Sequence, residues 1–175
     1  MLLQQIGIVP DQVVSPDIDE TPLRDELPRQ AVQRLARAKA DAAASPGDFV
    51  LAADTVVACG RRILPKAETE AQARACLALL SGRRHRVLTA VVLVAPDGRR
   101  AERLAESVVG FARLTEPQIR AYLDSGEWRG KAGGYAIQGR AAAHVRFLSG
   151  SYSNVVGLPL FETASLLRGL GYGLP

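Results

Sequence analysis

The sequence predicts an α/β fold with a mixed, mostly elongated central sheet flanked by helices. Three features predict it. Near-continuous apolar, β-branched runs at 49–58 and 86–94 read as strands covered on both faces. A helical pattern at 67–81 lies between them, making a strand, helix, strand unit. The later half is richer in strand and turn signals, which makes the sheet mixed. A chain of 175 residues with 47% apolar residues is expected to form one domain spanning 1–175.

Taken in order, Leu2, Leu3 and Ile6 share a helical face and Gly7 supplies a stop, so the chain is expected to open in the last turns of a helix. Val13-Val14 is a candidate short strand, followed by an acidic, proline-bounded loop from Ser15 to Pro28. Arg29 to Ala44 reads as a helix that gathers Val32, Leu35, Ala36, Ala43 and Lys39 on one side. In the helix at 67–81, Ala73, Cys76, Leu77 and Leu80 are in register and Gly82 ends it. Glu102 to Phe111 is a strand. Thr115 caps a helix that has Pro117 in its first turn and turns Ile119, Tyr122 and Leu123 inward. His144 to Leu148 and Val155 to Leu158 are expected to form a hairpin-like pair around 150–154, and Pro159 opens a last helix that stops near Gly169 and Gly171.

Composition excludes several function classes. No apolar run approaches the ~18–20 residues that span a bilayer, and the N-terminus lacks an export signal, so a cytoplasmic protein without membrane partners is expected. Cys59 and Cys76 fit neither a disulfide framework nor a zinc site, and His85 and His144 belong to no ligand-spaced cluster. The net charge of +4 favours anionic partners. Dispersed arginines and only 5% aromatic residues argue against a nucleic-acid stacking surface.

A few residues stand out against this background. Lys39 puts an ammonium on an apolar helical face, where it must snorkel, pair with an acid, or point into a polar cavity. Asp54 puts a carboxylate in an apolar strand, which is costly unless it caps a turn, is paired, or holds a metal. Lys66 precedes the helix read from Ala67, either solvated or close enough for its ammonium to join N-terminal amides in binding phosphate. Asp17, Asp19 and Glu20 are solvated loop acids or oxygen ligands for a divalent metal. The glycine-rich segment 130–139 ends on Gln138, whose amide is suited to reading a base edge, and it is neither a Walker A nor a dinucleotide-binding loop.

Six segments in order make the constellation specific: 34–40 around Lys39, Ala53-Asp54-Thr55-Val56-Val57, Ile63-Leu64-Pro65-Lys66, Leu80-Ser81-Gly82, Gly130 to Gly139, and the stretch from Gly150-Ser151-Tyr152-Ser153-Asn154 to Leu160. Together they resemble the Maf family of nucleotide pyrophosphatases, over nearly the whole chain. The resemblance implies an α/β fold related to the inosine triphosphatases. It also implies a hydrolase that splits a nucleoside triphosphate into monophosphate and pyrophosphate with a divalent metal, Mg or Mn. The Gly130–Gly139 segment looks like the dTTP/UTP branch, so a pyrimidine nucleoside triphosphate is the expected substrate and a homodimer the expected assembly. By family pattern Asp54 matches the acid/base and Lys39, Lys66 and Glu20 match groups lining the triphosphate site. Glu20 and Asp54 match the metal side, and Thr55 and Gln138 match positions tied to base selectivity.

Two departures accompany the resemblance. Ala67 stands where a proline usually follows the lysine. The sequence also begins just after the family's Ser-x-Ser-Pro-Arg-Arg segment, so a chain truncated relative to the family is expected. The alternative function this leaves open is a nucleotide-binding or septum-related interaction protein with weakened catalysis.

Overall fold

A computed structural model describes residues 2–21 and 23–174. Its centre is a sheet in the order β2-β1-β4-β5-β7, formed by β1 (Val50–Cys59), β2 (Arg62–Leu64), β4 (Arg84–Val94), β5 (Arg100–Phe111) and β7 (Val145–Ser149). A second ribbon pairs β3 (Lys66–Ala67) with β6 (Lys131–Ala132). The helices are α1 (Pro28–Ala42), α2 (Glu70–Leu80), α3 (Glu116–Asp124), α4 (Tyr152–Val156) and α5 (Leu160–Gly169).

The α/β class with a central sheet flanked by helices is as the sequence indicates. The pairing differs from the mixed sheet expected, because β1, β2, β4, β5 and β7 all pair antiparallel. The reason lies in the connections. β4 and β5 are joined by a tight turn at 96–99, and β1 turns directly into β2 at Gly60, so neighbours reverse direction. The helix between β1 and β4 returns the chain beside β1 in the opposite sense rather than acting as a parallel crossover.

Strand alternation divides the core in two. Val32, Ala36 and Ala40 of α1 pack on Ala52, Val56, Leu88, Ala90 and Val92 on one face of the sheet. On the other face, α2 and α3 cover Val57, Val87, Val109 and Phe111 at one end, while Leu166 and Leu167 of α5 cover Val91 and Leu93 at the other. The alanines in the first group remove side-chain bulk between helix and strand, so α1 lies close to β1 and carries its last turn over the middle of that strand.

β2 pairs only with Val57, Ala58 and Cys59. Along Val50–Val56, the edge of β1 away from β4 therefore has no strand partner among the described residues. Asp54 and Thr55 sit on this open stretch, on opposite faces of the strand.

Several local expectations are corrected. Val13-Val14 is not a strand: both residues lie in an irregular segment and are exposed, at 73% and 52%. Pro10 and Pro16 remove ladder donors on either side of it. The opening helix is a 3₁₀ turn, Leu3–Ile6, closed by Gly7 in a left-handed conformation. The helix read from Ala67 begins at Glu70, because Thr69 caps it and the Gln72 side chain accepts from the Thr69 N–H. Ala67 and Lys66 belong to β3 instead, so Lys66 is not at a helix N-terminus. The expected hairpin around 150–154 is also absent. β7 pairs with β5, and 152–156 is helical, capped by the Ser151 hydroxyl that accepts from the Asn154 N–H.

The turn after β6 is fixed by close approach. Gly133 has φ 68°, and a Cβ there would lie 2.8 Å from Val57 Cγ1. Gly133→Ala is expected to cost about 2–5 kcal/mol, combining a left-handed non-glycine residue with overpacking. Gly130→Ala, where φ is 66° but an added methyl meets nothing within 4 Å, should cost only the backbone part. Thermal melts of the two variants check this: Gly133→Ala should melt several degrees lower, and equal losses would refute the packing argument.

Candidate active site

The open stretch of β1, the last turn of α1, the β3–β6 ribbon and the α4 segment meet around one cleft of about 240 Å³. It is lined by Lys39, Asp54, Thr55, Lys66, Lys131, Tyr135, Gln138 and Gly157, among others. A second hollow of about 190 Å³ continues on the α1 side, past Glu20 and Arg34, and shares Asp54, Thr55 and Lys66 with the first. The two adjoin because no strand among the described residues pairs with this edge of β1, which leaves both faces of the strand open to the cleft.

Four charged groups form a continuous row at this edge. Lys39 Nζ donates to Asp54 Oδ1 at 2.5 Å and lies 2.8 Å from Glu20 Oε1. Glu20 Oε2 in turn accepts from Lys66 Nζ at 2.5 Å. Lys39 thus pairs with acids rather than snorkelling. Glu20, on the irregular segment before α1, bridges two lysines from separate elements.

Burial sets the electrostatics. The Asp54 side chain is only 3% exposed. Desolvation pushes its carboxyl above the usual aspartate range, against the hydrogen bond and charge of Lys39. For Lys39, burial works downward but is outweighed by the bonds to Asp54 and Glu20, so the ammonium is held above its ordinary value. Glu20 is less buried; there the two lysines outweigh desolvation and hold its carboxyl below the ordinary value. One cleft therefore contains a carboxylate drawn toward protonation and another kept firmly charged.

The six residues singled out from the sequence are brought together. Asp54, Lys39, Glu20 and Lys66 form the ionic row, and Thr55 and Gln138 line the cleft beside it. Asp17 and Asp19 do not join them: both are exposed, and Asp19 turns back to accept from the Thr21 N–H at 2.9 Å. Among the described residues no group of three or more His, Cys, Asp or Glu side chains is placed to hold a metal ion.

Sequence reasoning missed the polar network behind Thr55. Its hydroxyl oxygen lies 2.9 Å from that of Thr89, which reaches the Asn154 carbonyl at 3.2 Å. The Asn154 side-chain amide donates to the Val87 carbonyl and to Ser107 Oγ. Thr89 could have been flagged as a hydroxyl in an otherwise apolar strand. Asn154 carried a cap signal only in combination with Ser151. Tyr135, on the cleft wall, is tied through its hydroxyl to His85 Nε2 at 2.8 Å. Burial lowers His85 to about 4, so its ring is neutral near pH 7 and holds Tyr135 in place without contributing charge.

This geometry can be set beside known proteins. The family model described as Maf-like protein matches residues 1–170. The chain belongs to the Maf-like family. Relatives named dTTP/UTP pyrophosphatase include one from Granulibacter bethesdensis, 64% identical over 98% of this chain and 88% of the relative. One from Caulobacter vibrioides is 63% identical over 98% of this chain and 90% of the relative. A third, from Rhodospirillum rubrum, is 63% identical over 98% of this chain and 82% of the relative.

The ionic row in this Maf-like chain carries a stability prediction with a definite sign. Lys39→Met strands Asp54 in a buried place, which should cost about 3–5 kcal/mol near neutral pH. In the variant the folded-state pKa of Asp54 rises further above its unfolded value. The folded state then binds more protons than the unfolded state between those two values, so the deficit shrinks as pH falls. Denaturant unfolding at pH 8 and pH 5 checks it: a loss that is equal or larger at pH 5 would contradict the coupling.

Proposed function

We propose that this chain hydrolyses dTTP and UTP to the nucleoside monophosphate and pyrophosphate, with Asp54 as the general base. The observation that carries the reading is the row Asp54–Lys39–Glu20–Lys66 along a cleft that also holds Thr55 and Gln138. Replacing a buried ion pair with apolar residues is often neutral or stabilising, so fold stability alone gives little reason for this row. Chemistry on an anion gives one. The names of the relatives, together with identities of 63–64%, support the substrate.

In this reading the triphosphate lies against Lys39 and Lys66, and the nucleoside lies toward Thr55 and Gln138. Asp54 Oδ1 stays on Lys39, while Oδ2 has no hydrogen-bond partner among the described residues and is free to take a proton from water attacking the α-phosphorus. Its upward-shifted pKa makes it a better proton acceptor than an ordinary aspartate. Lys39 and Lys66 offset charge on the departing pyrophosphate.

The donor set fits a hard divalent cation. Glu20 and Asp54 offer carboxylate oxygens about one ammonium apart, and Mg²⁺ is usually held by one or two carboxylates with phosphate oxygens completing the sphere. Glu20 and Asp54 would hold the ion, which would neutralise phosphate charge. Lys39 and Glu20 would exchange partners when nucleotide arrives, because phosphate competes for the lysines. A cytoplasmic homodimer belongs to the same reading. No helix among the described residues is long and apolar enough to cross a membrane.

Product analysis tests the reaction directly: pyrophosphate and monophosphate should appear together, and release of orthophosphate with the diphosphate would move the attack to the γ-phosphorus and sink the assignment. Chelation should abolish turnover, and Mg²⁺ or Mn²⁺ should restore it. Asp54→Asn should lower kcat by about 10²–10⁴ with a smaller loss of stability than Lys39→Met, because Lys39 keeps Glu20 as a partner. Because Asp54 acts ionised, kcat/KM of the parent should fall as pH drops, with its acid limb above the ~3.9 of an ordinary aspartate. Gln138→Ala should erode discrimination among bases more than the rate on the best one; equal losses for all nucleotides would remove Gln138 from base reading.

A further inference from the structure

Thr55 and Thr89 face each other across the β1–β4 ladder, with hydroxyl oxygens 2.9 Å apart. Thr89 is fully buried, and its hydroxyl lies 3.2 Å from the Asn154 carbonyl oxygen. A carbonyl only accepts, so this contact uses Thr89's single proton, and Thr55 must supply the proton between the two hydroxyls. The reverse order, with Thr89 donating to Thr55, gives up the bond to Asn154 and makes one hydrogen bond fewer in a buried place. The Asn154 carbonyl is also well fixed. It accepts from the Gly157 N–H at 3.0 Å, and the side chain of the same residue is tied to Val87 and Ser107 at 3.1 and 2.9 Å.

The protons therefore run from Thr55 to Thr89 to Asn154, and the Thr55 oxygen, beside Gly157 on the cleft wall, turns only lone pairs toward a ligand. We propose that Thr89 is a positioning residue for substrate selection, holding Thr55 as an obligate acceptor so that the cleft favours a base presenting an imide N–H over one presenting a lone pair. This rests on the pyrophosphatase reading above. Phosphate oxygens are acceptors and are repelled from such a position, so Thr55 belongs to the nucleoside end. The 2′-hydroxyl is missing from a deoxynucleotide and the 3′-hydroxyl is shared by every nucleotide, so selection among bases falls to N3–H, the donor common to thymine and uracil. Cytosine has a lone pair at N3 and is disfavoured there.

The test is the ratio of kcat/KM for CTP to that for UTP, measured for the parent, Thr89→Val and Thr89→Ser, with melting temperatures alongside. Valine keeps the shape but removes the acceptor that occupies the Thr55 proton, freeing that hydroxyl to donate into the cleft. The CTP-to-UTP ratio should rise about tenfold, mainly through KM, while kcat on UTP changes by less than about threefold. Serine should restore the parental ratio. A second measurement needs no variant: the parent should use N3-methyl-UTP at least about tenfold less well than UTP. An unchanged ratio in folded Thr89→Val, equal losses on both nucleotides, or N3-methyl-UTP accepted as readily as UTP would each overturn the proposal while leaving the pyrophosphatase reading intact. A parent enzyme with no turnover of UTP would overturn both.

Discussion

The structure depends on one ammonium. Lys39 emerges from the last turn of α1 and meets Asp54 and Glu20 at once, tying a helix, a strand and an irregular segment at a single point. Removing two unit charges from water costs several kcal/mol per ion, and contact between them recovers that only when the geometry is good. The alanines that let α1 lie close to β1 are part of that geometry. They allow a long side chain to end at a buried carboxylate rather than in solvent. Packing and charge placement are in this sense one problem, solved by small residues at 36, 40, 52 and 90.

Much of this was legible in the sequence because cost is legible. A lysine on an apolar helix face and an aspartate in an apolar strand are each unfavourable alone, and each is resolved by the other. Glu20, Thr55, Lys66 and Gln138 were legible in a different way: single polar residues with little energetic signature of their own became recognisable only through the ordered motifs around them. Asp17 and Asp19 show the limit of composition, since acids close in sequence to Glu20 stay exposed and outside the ionic row.

What was not legible depended on partners distant in the chain. An apolar strand reads the same whether its neighbour is parallel or antiparallel, so a mixed sheet was expected where every pair in the central sheet is antiparallel. The Val155–Leu158 stretch has the composition of a strand, but the Ser151 cap starts a helix before it and a local hydrogen bond overrides side-chain preference. Thr89 and Asn154 gain their meaning only when β4 lies between β1 and α4, an arrangement that no periodicity encodes.

Asp54 and Thr55 are consecutive residues pointing to opposite sides of one strand, so the proposed general base and the proposed nucleoside contact stand a single peptide unit apart, about 3.8 Å between Cα atoms. No hinge or domain motion can change that spacing. A lineage altering the preferred nucleobase therefore cannot slide the reading end away from the reacting end. Such a change falls instead to Thr89 behind Thr55 or to the opposite walls at 130–139 and 155–157, which reach the cleft from separate segments and leave that spacing untouched.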